Sequence, residues 1–252
     1  MNGGLQARST SKSPIHGGLR GLPRFNTVAN PFCTTLLSLA VIAGTAQVSV
    51  AQSAADYRQR GIQYRNQEQF ESAIAAFEKA VELDPKNLAG RIGLGWTLHL
   101  ANRRPEAIGM LQSAILYNPF NIETFNALGI AYLVNGDLSQ AVATHTWATM
   151  LNPNNEIPYY NLSLSYERLA MYDWSIECAK RAAELEPNNP HPWIALAIAY
   201  QGQGDKVSAQ QIFQQAITVD PRYGDRSSLT YLARAGFSSE QIKTAQQLLA
   251  AK

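Results

Sequence analysis

Residues 190–223 read PHPWIALAIAYQGQGDKVSAQQIFQQAITVDPRY, and residues 122–155 read IETFNALGIAYLVNGDLSQAVATHTWATMLNPNN. Laid over one another, the two strings share an alanine at Ala141 and Ala209, a second at Ala148 and Ala216, and a proline at Pro153 and Pro221. The same proline recurs at Pro85, Pro119, Pro153, Pro187 and Pro221, each 34 residues after the last. Equal intervals mean copies of one structural unit, and a period of about 34 holds two helices of about 14 residues with two short turns. The five units are 54–87, 88–121, 122–155, 156–189 and 190–223.

Within each unit, position 8 is small: Gly61, Gly95, Gly129, Ser163, Ala197. Position 20 (Ala73, Ala107, Ala141, Ser175, Ala209) and position 27 (Ala80, Ala114, Ala148, Ala182, Ala216) are small as well. Small residues at fixed points let helix axes approach. Positions 4, 7, 8 and 11 share one stripe of a first helix, and positions 20, 24 and 27 share one stripe of a second. Each proline stops the second helix, because it lacks an N–H and restricts the residue before it.

The pattern W-x-x-L-G-x-x-Y…A-x-x-x-F…A…P resembles the tetratricopeptide repeat. Unit five carries it as Trp193, Leu196, Tyr200, Ala209, Phe213, Ala216 and Pro221; unit three as Phe125, Leu128, Gly129, Tyr132, Ala141, Ala148 and Pro153. The fold this implies is all-α, an α-solenoid of stacked helix–turn–helix units. Arg60 and Arg91 depart from the pattern by standing at apolar positions. His145 and Ala179 replace the large aromatic at position 24, so units three and four are expected to have the thinnest core. His145 is expected to plug the space that the aromatic would fill.

Residues 224–252 read as a C-terminal pair of capping helices. The first spans about 225–235 and ends at Gly236. Ser238 with Gln241 is a capping-box signature for the second, whose apolar face is Ile242, Ala245, Leu248 and Leu249. The pair is expected to cover the exposed flank of unit five, Phe213 and Ile217, as the end of a solenoid requires.

Residues 1–51 read as an address. Arg8, Lys12, Arg20 and Arg24 precede an uncharged apolar run from Phe32 to Gly44, and Ser49-Val50-Ala51 is a small-x-small processing site. A cleaved export signal is the expectation, with the periplasm, a thylakoid lumen or secretion as destination. An uncleaved anchor, which would bring the chain to a membrane, and a transit peptide are the alternatives. Such exported arrays are similar to bacterial, including cyanobacterial, repeat proteins.

Composition excludes some functions. The chain is 46% hydrophobic and 16% charged, with net charge +2. Residues 1–55 contain no acid, so without their four basic residues the body is close to neutral. It has no electrostatic footprint for nucleic acid. No dinucleotide, Walker, metalloprotease or C-x-x-C motif is present, and His16, His99, His145 and His191 share no ligand spacing. Only 31 residues follow Pro221, fewer than a fused catalytic domain needs. No cofactor, metal or catalytic residue is expected. Cys178 reads as a small helix residue, and Asn161-Leu162-Ser163 as a sequon hidden mid-helix. The expected function is a non-catalytic scaffold or assembly factor that binds a protein or peptide partner. A membrane-anchored subunit of an envelope or thylakoid complex, and an enzyme with an unrecognised site, are the alternatives.

The resemblance places positions 2, 5, 9, 12 and 13 of each first helix on the concave face. The candidate groove residues are then Ile92, Trp96, Ile130, Leu133, Tyr160, Leu164, Ile194 and Ile198. The apolar stripe has two readings, a groove awaiting a partner or an edge of the core. The family's carboxylate clamp wants Lys, Asn and Arg where this chain has Arg58, Ile62, Gly93, Glu123 and Ala127, so a clamp is not expected.

Overall fold

The computed structural model describes residues 53–251. Of these, 80% are helical, and no strand occurs among them. The first helices of the five units are α1 (Ala54–Asn66), α3 (Leu88–Leu100), α5 (Ile122–Asn135), α7 (Glu156–Arg168) and α9 (Pro190–Gln203). The second helices are α2 (Phe70–Leu83), α4 (Arg104–Ile115), α6 (Leu138–Leu151), α8 (Tyr172–Leu185) and α10 (Lys206–Val219). A short 3-10 turn, Pro221–Gly224, a 3-10 segment, Ser228–Ala235, and α11 (Ser239–Ala250) complete the order.

Local chemistry explains where the helices begin and turn. The last residue of a unit caps the first helix of the next: Asn87, Asn121, Asn155 and Asn189 accept from the backbone N–H of Gly90, Thr124, Ile157 and His191. Ser53 does the same for α1, in a capping box with Asp56. Each such cap is worth about 1 kcal/mol. Every turn inside a unit passes through a left-handed residue at position 15, occupied by Glu68, Asn102, Gly136, Ala170 and Gly204. Only the two glycines take that conformation without a Cβ clash.

The small position 8 does what its spacing predicts. A Cβ on Gly61 would lie 2.7 Å from the Phe77 ring, one on Gly95 2.6 Å from Leu111, and one on Gly129 2.4 Å from His145. A Cβ on Gly93 would lie 2.4 Å from the other edge of Phe77, so this ring is wedged between two consecutive first helices. His145 fills the position-24 slot of unit three and is fully buried, and among the described residues neither ring nitrogen has a hydrogen-bond partner. Burial holds its pKa down to about 3, so the ring is neutral. In unit four the slot holds Ala179, and polar side chains occupy the interior: Ser175 donates to the Ser163 carbonyl, and Ser165 to that of Asn161.

Arg91 earns its apolar position by standing in for an indole. Trp193 donates its ring N–H to the Pro187 carbonyl, and Arg91, at the same point of its unit, donates its Nε to that of Pro85. Its guanidinium also reaches Ser113 on α4 and Tyr117 in the turn just after it.

Successive first helices touch one another, α1 with α3 through to α7 with α9. Among the described residues no comparable contact joins successive second helices. The second helices therefore diverge, and the first helices form the inner wall of the array.

Candidate groove on the inner face

The inner wall is occupied at one end by the chain's own tail. The segment expected as a helix over 225–235 is a 3-10 segment, and its three-residue period explains why. Leu229, Leu232 and Ala235 line up on one side; the two leucines are fully buried, while Thr230, Tyr231 and Arg234 stay exposed. An α-helical period would swing these side chains off a common line. Gly236 then turns left-handed, Phe237 inserts against the Tyr160 ring at 5.9 Å, and the Ser238–Gln241 capping box starts α11.

Specific bonds hold the tail in place. Tyr160 donates its hydroxyl to the Ala235 carbonyl at 2.6 Å. The Gln241 amide donates to the Leu164 carbonyl and to the Glu167 carboxylate. Burial pushes the Glu167 carboxyl up, an effect the Gln241 bond opposes. The tail thus lies across α7 and α9 on the inner face, besides meeting α10 at the end of the stack.

This placement divides the candidate groove residues. Leu133, Leu164, Ile194 and Ile198 are no more than 1% exposed and share one apolar core with Leu229, Leu232, Phe237 and Leu248. Their expected place in an open groove is corrected: the tail covers them. Tyr160 is half-buried and faces both the tail and the remaining opening. Trp96 and Ile130 line that opening; Ile92 is part-buried on α3 but is not part of its lining.

What remains open is a groove of about 1040 Å³. Its floor is Trp96, Ile130, Val134 and Tyr160 on α3, α5 and α7. Its near end is built by Arg65, Phe70, His99 and Arg104. Its far end is His191 and Tyr223 with the tail residues Tyr231 and Arg234. His191 and the Tyr223 hydroxyl share a 2.8 Å hydrogen bond, and burial holds the imidazole below its ordinary pKa. The His99 ring stacks on Trp96, with centroids 5.1 Å apart, and its buried Nδ1 has no partner among the described residues.

Two stretches of this array match family models described as tetratricopeptide repeat: one model over residues 64–128, a second over 158–189 and 190–223, together just over half the chain. The chain belongs to the tetratricopeptide repeat superfamily. Solved structures of tetratricopeptide repeat proteins share the fold. A MamA protein is 23% identical, covering 73% of this chain and 96% of its own, with a TM-score of 0.58. TTC0263 of Thermus thermophilus is 22% identical, covering 73% of this chain and 98% of its own, with the same TM-score of 0.58. YrrB, described as having an unusual peptide-binding site, is 19% identical, covering 72% of this chain and 92% of its own, with a TM-score of 0.56. No curated protein matches the sequence.

The remaining singled-out residues are structural. Asn161 is buried and donates its amide to the Ile157 carbonyl inside α7, so the sequon is inaccessible. Burial pushes the Cys178 thiol up to about 12, which suppresses the reactive thiolate. Among the described residues no group of three or more His, Cys, Asp or Glu is placed to hold a metal ion, and no helix is long and apolar enough to cross a membrane. The address segment, with its apolar run and processing site, lies outside the described residues.

Proposed function

We propose that this chain is a non-catalytic protein–protein interaction scaffold or assembly factor that holds a partner segment along the inner face of its first helices. The observation that carries the reading is the open groove itself: an elongated, largely apolar trough running over α3, α5 and α7, with Trp96 and Ile130 in its floor. Its volume is at the upper end for small-molecule sites, and its extent across several units suits an extended peptide. Membership of a superfamily of interaction repeats supports the reading, as does the peptide-binding site described for YrrB. The tail sets a limit on it, because a partner meets the near half of the inner face and finds the far half already filled.

The test is Ile130→Glu, which sets a carboxylate in the middle of the trough floor. Capture of the native partner should fall at least tenfold while the thermal melt stays within a few degrees, because interface centres hold most of the binding energy. Lys206→Glu, at the start of α10 and away from the trough, should change neither. Undiminished capture by Ile130→Glu would move the binding site elsewhere on the molecule.

A further inference from the structure

The near end of the groove has more positive charge than the protein itself satisfies. Among the described residues neither Arg65 nor Arg104 forms an ion pair, although both line the groove. Arg65 lies over the Phe77 ring at 5.7 Å, and burial with no compensating anion pushes its guanidinium below the ordinary range. Burial lowers the pKa of the neighbouring His99, and the Arg104 charge adds to the effect. His99 adds the partnerless Nδ1, and Trp96 and Leu100 add apolar surface beside it. A part-buried cation with no counter-charge is costly unless something supplies one.

Resting on the groove reading above, we infer that the near end of the groove takes an acidic peptide segment of a partner protein, its carboxylates paired with Arg65 and Arg104 and an apolar side chain seated on Trp96. Two guanidiniums fit carboxylates in a fixed planar geometry, which a lysine pair would not. The groove walls also carry Glu68 and Glu156, which would repel a continuous polyanion, so a nucleic acid is the poorer occupant. The chain's own leader is poorer still, since residues 1–55 hold four basic side chains and no acid.

The experiment uses the full chain as bait for a displayed library of random dodecamer peptides. Selected peptides should be enriched in Asp and Glu over the input. A selected peptide measured by fluorescence anisotropy should bind at least tenfold more tightly than its Asn/Gln counterpart, and the gap should narrow with added salt. In the Arg65→Gln, Arg104→Gln variant the acidic enrichment should vanish; Arg104→Glu alone, which leaves the Arg65–Phe77 packing in place, should also reverse the preference. Arg226→Gln, on an exposed loop, should behave as the parent. Acid-neutral selections that are lost in Ile130→Glu would overturn this inference and leave the groove reading standing. Acid-rich selections indifferent to Ile130→Glu, or no selection at all, would overturn both.

Discussion

The near and far halves of the inner face carry the same repeat pattern and have opposite fates. Ile62, Trp96 and Ile130 stand at position 9 of the first three units and meet solvent to differing degrees, with Ile62 37% exposed. Leu164 and Ile198 stand at the same position in the last two and are 1% exposed. Nothing inside the units accounts for this, since the residues are apolar in both halves. The cause lies outside the repeats, in a tail whose Leu229, Leu232, Phe237 and Gln241 are complementary to the far half. Repeat position therefore sets which wall a residue faces, and the non-repeating segment sets whether that wall is open.

The sharpest way to break this comparison is to remove the tail. Deleting residues 224–252 should expose Leu164, Ile194 and Ile198 and strip the cover from Phe213. Each large apolar side chain uncovered forfeits about 1.5–3 kcal/mol. The truncated protein should melt much earlier and self-associate on size exclusion; an unchanged melting midpoint with a monomeric profile would mean the tail only rests on the array. Leu164→Glu makes the same point with one residue, costing roughly 3 kcal/mol or more in a urea titration through a charge buried without a partner. Ile130→Glu, one unit earlier and unburied by the tail, should cost under about 1 kcal/mol in the same titration, as surface substitutions do.

A smaller effect belongs to the boundary between the halves. Leu133 is covered by the tail and Ile130, nearly one turn before it, is not; His145 fills the core slot of the same unit. Its folded pKa, about 3, lies below the unfolded value near 6.5. The unfolded chain binds a proton as the pH falls through that value, while the folded chain does so only near the lower one. Stability should therefore be fully present above about pH 6.5 and decline by up to about 1.4 kcal/mol per pH unit toward pH 3. His145→Phe should flatten that decline and raise stability at pH 7 by about 1–3 kcal/mol, since two partnerless buried nitrogens disappear and Gly129 leaves room for the ring. Denaturant midpoints at pH 7, 6 and 5 for parent and variant decide it; parallel slopes would mean that His145 finds a partner when charged.

The smallest effect is a local one. Ala170 holds a φ of 56° at position 15, where the units on either side have Gly136 and Gly204. Ala170→Gly should stabilise the far half by about 1 kcal/mol, and Gly136→Ala should destabilise unit three by a similar amount. Equal midpoints for all three proteins would mean that the turn relaxes without cost.

Much of this was legible in the chain. The period, the small position 8, the plugging role of His145 and the capping box at Ser238 all rest on contacts close in sequence, and those leave a pattern. Position 15 left none, because Glu68, Asn102 and Ala170 tolerate a conformation whose usual signal is glycine. The Asn caps at 87, 121, 155 and 189 were readable by their side chains and their place before each helix. Where the tail sits was not readable. Tyr160 meets Ala235 across 75 residues, and no local rule says whether an amphipathic segment will lie on the end of a stack or inside it. That single unknown moved four of the eight candidate groove residues out of reach of a partner.

The chain of asparagine caps has a consequence for anyone wishing to edit the array. A unit cut at its natural period brings along the residue that starts the helix after it, so copies of units one to four are interchangeable parts with matching connectors. Duplicating the segment 156–189 in place would give each following helix its starter. Unit five breaks the series, with Tyr223 where the asparagine would stand and the 3-10 segment Ser228–Ala235 in place of a first helix. A sixth unit spliced after it would begin without a cap and would displace the tail from its seat, whereas a copy of 156–189 spliced between 189 and 190 would be capped by Asn189 and would carry its own copies of Tyr160, Leu164 and Glu167 to hold the tail beside α9.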